Sequence, residues 1–297
     1  MTPALPGAGI QVTDVFLRDG LQDEAVTLAP AQRVEIGEAI AAAGVRRMEV
    51  ASFVHPRRVP QMAGAEEVVQ SLQVSTTAEL TVLALNGRGV ERAVAAGAGH
   101  IQIVASASQA HSSANAGRTV EQALHDLGDQ VAACPGVDFF AGISTAFTCP
   151  FEGRIDPERL LWMVRSFKDM GVTDIGLADT LGTTPTAELV ASLDHVLAGE
   201  PNLTYYLHLH NAHGQALATV DAAIERGITR FDAALGGYGG CPFAPGAAGN
   251  LSTGDLVRHL HEQGHRTGID EDLLAVATSL ARDLVSTAPR LPEASNA

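Results

Sequence analysis

The chain lacks the features of an exported, membrane-spanning or nucleic-acid-binding protein. Its 297 residues include three cysteines, Cys134, Cys149 and Cys241, too few and too scattered for a disulfide framework, which points to a reducing cytoplasm. No apolar run approaches the roughly 20 residues that span a bilayer. The first nine residues carry neither a basic n-region nor an apolar h-region, and residues 1–9 read as a disordered N-terminus. Basic residues are scarce, 19 against 34 acidic ones, for a formal net charge of −15. That balance argues against nucleic acid or an anionic membrane as partner. An anionic small molecule would need a local positive centre, either a metal ion or Arg18. The first strand-like run ends in Arg18-Asp19-Gly20-Leu21 rather than in a G-x-G-x-x-G phosphate fingerprint, which weakens a dinucleotide-binding reading. No low-complexity linker divides the chain.

Against these absences stand a 46% hydrophobic content, enough for a sizeable core, and a rhythm that repeats eight times. Apolar, β-branched runs begin at Gln11–Leu17, Arg47–Ala51, Leu80–Leu85 and Ile101–Val104, and continue at Val137–Ile143, Asp174–Leu177, Thr204–Leu209 and Arg230–Ala233. Segments of helical period lie between them, including Pro30–Ala43, Thr119–Ala133, Asp156–Met170, Pro185–Leu197 and Gln215–Arg226. Asp156-Pro157 and Thr184-Pro185 each pair a capping residue with a proline at the first helical position. Alternating βα units predict a parallel sheet. Eight of them predict a single (β/α)8 TIM barrel over residues 10–285, with a short extra C-terminal helix from about Asp270 and a flexible tail over 286–297. An open doubly wound sheet is the alternative.

Leu207-His208-Leu209-His210-Asn211 carries the chemistry. Side chains alternate along a strand, so His208 and His210 share a face, and two imidazoles with a carboxylate form a divalent-metal site. Asp19 is the candidate carboxylate. An isolated H-x-H is also compatible with two hydrogen-bonded polar groups at a strand end. The placement of the other polar residues favours the metal. Asp19, Glu49, Asp179 and the histidine pair all fall at the C-terminal ends of predicted strands, the end at which barrel enzymes do their chemistry. Cys241 stands among glycine and proline with no apolar pattern to bury it, unlike Cys134 and Cys149, which read as core residues.

These landmarks together resemble the 3-hydroxy-3-methylglutaryl-CoA lyases of the metal-dependent lyase and Claisen-condensing barrel family. They are Leu17-Arg18-Asp19-Gly20-Leu21-Gln22, Glu49-Val50-Ala51-Ser52-Phe53-Val54, Val59-Pro60-Gln61-Met62, Cys149-Pro150-Phe151-Glu152-Gly153, Ala178-Asp179-Thr180-Leu181-Gly182, the H-x-H strand, Gly236 to Phe243, and Gly246-Ala247-Ala248-Gly249-Asn250-Leu251. The resemblance runs from about Gln11 to Leu260. It implies Mg²⁺ or Mn²⁺ bound by Asp19, His208, His210 and Asn250, with Arg18 and Gln22 as substrate contacts. It also implies Arg18 at the thioester carbonyl, Cys241 as a catalytic residue on a mobile loop, and Glu49 and Asp179 as further active-site acids. The implied reaction is retro-Claisen cleavage of a 3-hydroxyacyl-CoA to acetyl-CoA and a keto acid, as in leucine catabolism, by a cytoplasmic homo-oligomer. His208 or Asp179 would accept the hydroxyl proton.

Several positions depart from the family pattern. Asp23 and Ala25 stand where Asn and Lys are usual, Ala141 and Ile143 where an arginine and an aromatic are usual, and Gln109 and His111 where glutamate and an aromatic are usual. Asn211 replaces an aspartate. The metal set is complete while the substrate-facing set is thinned. An aldolase or acyl-CoA condensing synthase on the same metal site is therefore an alternative, and a non-catalytic barrel is a third.

Overall fold

A computed structural model describes residues 9–239 and 249–291. Eight parallel strands close into a barrel. They are β1 (Gln11–Asp14), β2 (Arg47–Ser52), β3 (Glu79–Leu83), β4 (His100–Ser106), β5 (Asp138–Ser144), β6 (Asp174–Asp179), β7 (Thr204–Leu209) and β8 (Arg230–Ala233). Each pairs with its neighbour in sequence, and β8 returns to β1 in the register Gln11↔Arg230 to Asp14↔Ala233. Strands covered on both faces need apolar residues on both faces, which is why they read as continuous hydrophobic runs instead of alternating ones.

The helices are α1 (Pro30–Ala42), α2 (Ala65–Ser75), α3 (Gly87–Ala95), α4 (Gln109–Ala116), α5 (Val120–Ala133), α6 (Pro157–Asp169), α7 (Thr186–Gly199), α8 (Ala216–Ile224), α9 (Thr253–Glu262) and α10 (Glu271–Thr287). Asp156 caps α6 by accepting from the Glu158 N–H at 3.0 Å. Asp270 caps α10 by accepting from the Asp272 and Leu273 N–H groups. Such caps satisfy amides that the helix itself leaves unpaired. Thr184 behaves otherwise. Pro185 is the residue that caps α7, while the Thr184 hydroxyl donates to Asp179 Oδ1 at 2.7 Å.

Boundaries shift from the sequence reading by a residue or two at several strands, and most at the two ends of the barrel. Strand β1 ends at Asp14, three residues before the expected Leu17, because the chain turns there: the Phe16 N–H donates to Asp14 Oδ1 at 2.9 Å. A wide helical turn follows over Phe16–Gly20, closed by Gly20 N–H to Val15 O at 3.1 Å. At the other end, α10 continues to Thr287. Beyond it the chain is tied back to the barrel, with the Leu291 N–H donating to Ala25 O at 2.9 Å. Residues 292–297 of the expected tail, and residues 1–8, lie outside the described residues; Gly9 bridges to Arg266. Among the described residues no helix is long and apolar enough to cross a membrane.

Candidate metal and catalytic site

The turn after β1 swings Arg18 and Asp19 over the mouth of the barrel, where β7 presents its histidines. His208 Nε2 lies 3.7 Å and His210 Nε2 3.9 Å from Asp19 Oδ2, and the two imidazole nitrogens are 3.4 Å apart. Asp19, His208 and His210 each offer one ligand atom within 4.8 Å of the others, and they are the one such group among the described residues. The spacing suits a shared cation, since one carboxylate oxygen and two imidazole nitrogens converge on one point in a part-buried site.

Asn250 joins them by backbone pairing. Residues His210 and Asn250 form an antiparallel bridge, secured by Leu251 N–H to Leu209 O at 2.8 Å and Asn211 N–H to Gly249 O at 3.2 Å. The Asn250 amide donates to Asp19 Oδ2 at 2.7 Å and to the Tyr238 carbonyl at 2.9 Å. Its Oδ1 is buried with no hydrogen-bond partner, an orphaned oxygen of the kind a hard cation takes as a ligand. Gly239 makes the approach possible. Its φ is +98°, and a Cβ there would sit 2.4 Å from Asn250 Nδ2 and 2.9 Å from the Asp19 carbonyl oxygen.

Electrostatics agree with this grouping. Burial alone would raise the Asp19 carboxyl, but Arg18, His208, His210 and the Asn250 amide hold it well below the carboxylate range. It is therefore ionised, as a ligand must be. Burial would lower the His208 imidazole, but the hydrogen bond to Asp232 and the charge of Asp19 raise it.

Asp232 is the residue that sequence reasoning missed. It pairs in register with His208 across β7 and β8, and its Oδ2 is 3.3 Å from His208 Nδ1. A carboxylate behind an imidazole fixes which nitrogen faces the site and how the ring is turned. An acidic residue between Phe231 and Ala233 in a buried strand was the available signal.

Arg18 is clamped. Its Nε donates to Glu49 Oε2 at 2.6 Å, its Nη2 reaches the same oxygen at 2.6 Å, and its Nη1 pairs with Asp19. Burial would depress the guanidinium; Glu49 and Asp19 raise it above its ordinary value. Glu49 is itself pushed up by burial, partly offset by Arg18, and its Oε1 is buried without a partner. Gln22 lines the same cavity as Arg18, and its Oε1 is buried and unpartnered as well.

That cavity has a volume of about 740 Å³ and opens at the C-terminal end of the strands. It takes in Arg18, Asp19, Gln22, His208 and His210, with Arg58 and Arg118 further out. Asp179 is not part of its wall, although Ala178 and Thr180 are. By strand alternation its carboxylate is on the other face, held by the Thr184 hydroxyl and N–H; burial raises it and Thr184 offsets part of that. His111 lines the cavity and sits 3.1 Å from Ser106 Oγ, in keeping with its place among the substrate-facing positions that depart from the family pattern. Ala141 alternates with cavity-lining Gly142 and is fully buried in the hydrophobic core. Cys149 is buried there too, and Cys134 is half-buried. Cys241 lies outside the described residues.

A family model described as HMGL-like matches residues 9–280. The chain is 41% identical over 281 residues to (R)-citramalyl-CoA lyase of Chloroflexus aurantiacus, covering 91% of this chain and 89% of that one. It is 34% identical to hydroxymethylglutaryl-CoA lyase of Pseudomonas mevalonii, covering 90% and 89% respectively. Its fold matches an HMG-CoA lyase of Acinetobacter baumannii, solved with coenzyme A and 3-methylmalate. That match has a TM-score of 0.88 and 35% identity, and covers 96% of this chain and 93% of that one.

Proposed function

Because this chain belongs to the HMGL-like family and is a carbon–carbon lyase, we propose that it cleaves a short, branched, carboxyl-bearing 3-hydroxyacyl-CoA of the citramalyl-CoA type to acetyl-CoA and pyruvate. The observation that carries the chemistry is the convergence of Asp19, His208 and His210 within 4.8 Å beside the clamped Arg18. The 41% identity to a citramalyl-CoA lyase supports the acyl group. Cleavage of 3-hydroxy-3-methylglutaryl-CoA to acetyl-CoA and acetoacetate, a step of leucine breakdown, is the second reading, supported by the 34% relative.

Asp19, His208, His210 and Asn250 would hold Mg²⁺ or Mn²⁺; the mixed oxygen and imidazole donors and the orphaned Asn250 oxygen fit such an ion. When bound, the cation would lower the pKa of a substrate hydroxyl and polarise the carbonyl that forms from it. The remaining steps belong to side chains. The hydroxyl proton needs an acceptor. Asp179 is held by Thr184 and His208 is turned to the metal cluster; Glu49, off the cavity wall like Asp179 but beside Arg18, keeps Oε1 without a partner and would take the proton. Burial raises its pKa, partly offset by Arg18, which strengthens it as a proton acceptor. As the carbon–carbon bond breaks, charge develops on the thioester oxygen. Arg18, fixed in advance by Glu49, would donate to it without reorganising. Cys241 would then protonate the enolate carbon.

Two further parts of the reading are supported more generally. Leu273 and Val276, three residues apart on α10, are exposed and suit a contact between copies of the chain. The free thiols of Cys134 and Cys149 suit a reducing cytoplasm.

The test is a turnover assay on Mn²⁺-loaded protein with both enantiomers of citramalyl-CoA and with 3-hydroxy-3-methylglutaryl-CoA. Acetyl-CoA with pyruvate from one citramalyl enantiomer is the expected result. Acetoacetate as the faster product would replace the first reading by the second, and no acetyl-CoA from any ester would reject both.

A further inference from the structure

Part of the floor of the catalytic cavity is a tyrosine ring lying across a glycine. Gly142 on β5 and Gly176 on β6 are register partners, and both line the cavity. A Cβ on Gly176 would lie 2.3 Å from Cζ and 2.6 Å from the hydroxyl oxygen of Tyr206, and one on Gly142 would lie 2.8 Å from Nε2 of Gln102. With the ring in this position no larger residue fits at Gly176. Tyr206, paired with Gly176 in register, therefore reaches over β6, and its hydroxyl donates to the Ala141 carbonyl on β5 at 3.3 Å. Beneath the ring, 5.7 Å from its centroid, is the guanidinium carbon of Arg230, which pairs with Asp174. The ring thus separates the catalytic cavity from a charged layer at the base of the barrel.

The floor also offers a substrate no charged group: the one polar atom of the Tyr206 side chain, its hydroxyl, is committed to the Ala141 carbonyl. A substrate carboxylate finds no cationic partner on that ring face and belongs with Arg18 and the metal cluster. What the floor can meet is the uncharged branch on the carbon that carries the hydroxyl.

We propose that Tyr206 is a specificity-determining residue. Its ring closes the floor over Gly176 and limits that alkyl branch to about a methyl group. The proposal rests on the lyase reading above and adds the size of the branch.

The experiment compares citramalyl-CoA with homologues whose methyl branch is replaced by ethyl and by butyl, in wild type, Tyr206→Phe, Tyr206→Leu and Tyr206→Ala. Turnover and isothermal titration are measured on Mn²⁺-loaded protein. One methylene against a closed apolar wall is worth roughly 10–200-fold, so wild type should reject the ethyl ester by about that factor. Tyr206→Leu and Tyr206→Ala should shrink the rejection at least about tenfold, through KM and Kd more than kcat. Tyr206→Phe, which keeps the ring, should hold the wild-type ratio. Circular dichroism identifies a variant that fails to fold, and the leucine variant then stands in for the alanine one. An unchanged methyl-to-butyl ratio in a folded opening variant, by turnover or by Kd, overturns the floor assignment. Acetyl-CoA from none of the esters rejects the lyase reading instead, and the Kd ratios still decide the floor.

Discussion

Asp232 Oδ2 stands 3.3 Å behind Nδ1 of His208, while Nε2 of the same ring faces Asp19 and His210. This link lets one strand present an imidazole in a fixed orientation toward the cation that Asp19, His210 and Asn250 are proposed to share with it. Removing such a backing carboxylate typically costs 10–100-fold in metal affinity. Asp232→Asn should therefore weaken Mn²⁺ binding by roughly 10–100-fold, read by isothermal titration, with the melting profile of the apoprotein little altered. An unchanged Kd would show that His208 does not bind the ion.

Glu49 has two expected duties: one oxygen fixes Arg18 and the other takes a proton. Glu49→Gln keeps the shape and one acceptor. It should lower kcat by about 10²–10⁴ while Mn²⁺ affinity stays within a few-fold. Near-normal turnover would leave Glu49 as a positioning residue only.

Cys241 is assigned to proton exchange with the enolate carbon. Cys241→Ala should reduce kcat by about 10²–10⁴ and leave metal binding intact. Slowed exchange of the methyl protons of added acetyl-CoA with deuterated solvent, in the absence of a keto acid, is the specific signature. Full activity in that variant removes Cys241 from the mechanism.

The barrel was legible because its strands are buried on both faces and its helices on one. Composition alone separated them. Strand facing was less legible. With both faces of β6 apolar, nothing in Ala178-Asp179-Thr180 shows that Asp179 turns toward Thr184. For the same reason Ala141 read as a missing substrate contact although its side chain packs in the core. The convergence of Asp19, His208 and His210 was legible through the H-x-H spacing and an aspartate at the end of a strand-like run, although Asp19 lies in the turn beyond β1; the partner of His208 lies 24 residues away and is disclosed only by the register of β7 and β8. Gly176 could not have been linked to Tyr206 from the sequence, since the contact spans two strands and depends on the twist of the closed sheet.

Asp14 carries a pH dependence of stability independent of catalysis. It is 1% exposed, accepts from the Thr253 hydroxyl at 2.6 Å and from the Phe16 N–H, and burial pushes its carboxyl up to about 6 from the ordinary 3.8. The folded state therefore holds this proton more tightly than the unfolded one. Its contribution favours folding at low pH and is lost as pH rises from about 4 to 6, by about 3 kcal/mol. Relative to Asp14→Asn, wild type should lose melting temperature across that window and run parallel above it. Parallel profiles throughout would place the titration elsewhere.

The central claim is that four side chains far apart in sequence, Asp19, His208, His210 and Asn250, hold one ion on which carbon–carbon cleavage depends. Acetyl-CoA release from citramalyl-CoA by exhaustively chelated protein, before and after Mn²⁺ is restored, tests it most directly. Turnover should vanish on chelation and return with about one equivalent of ion per chain. Turnover that chelation leaves undiminished would contradict the account.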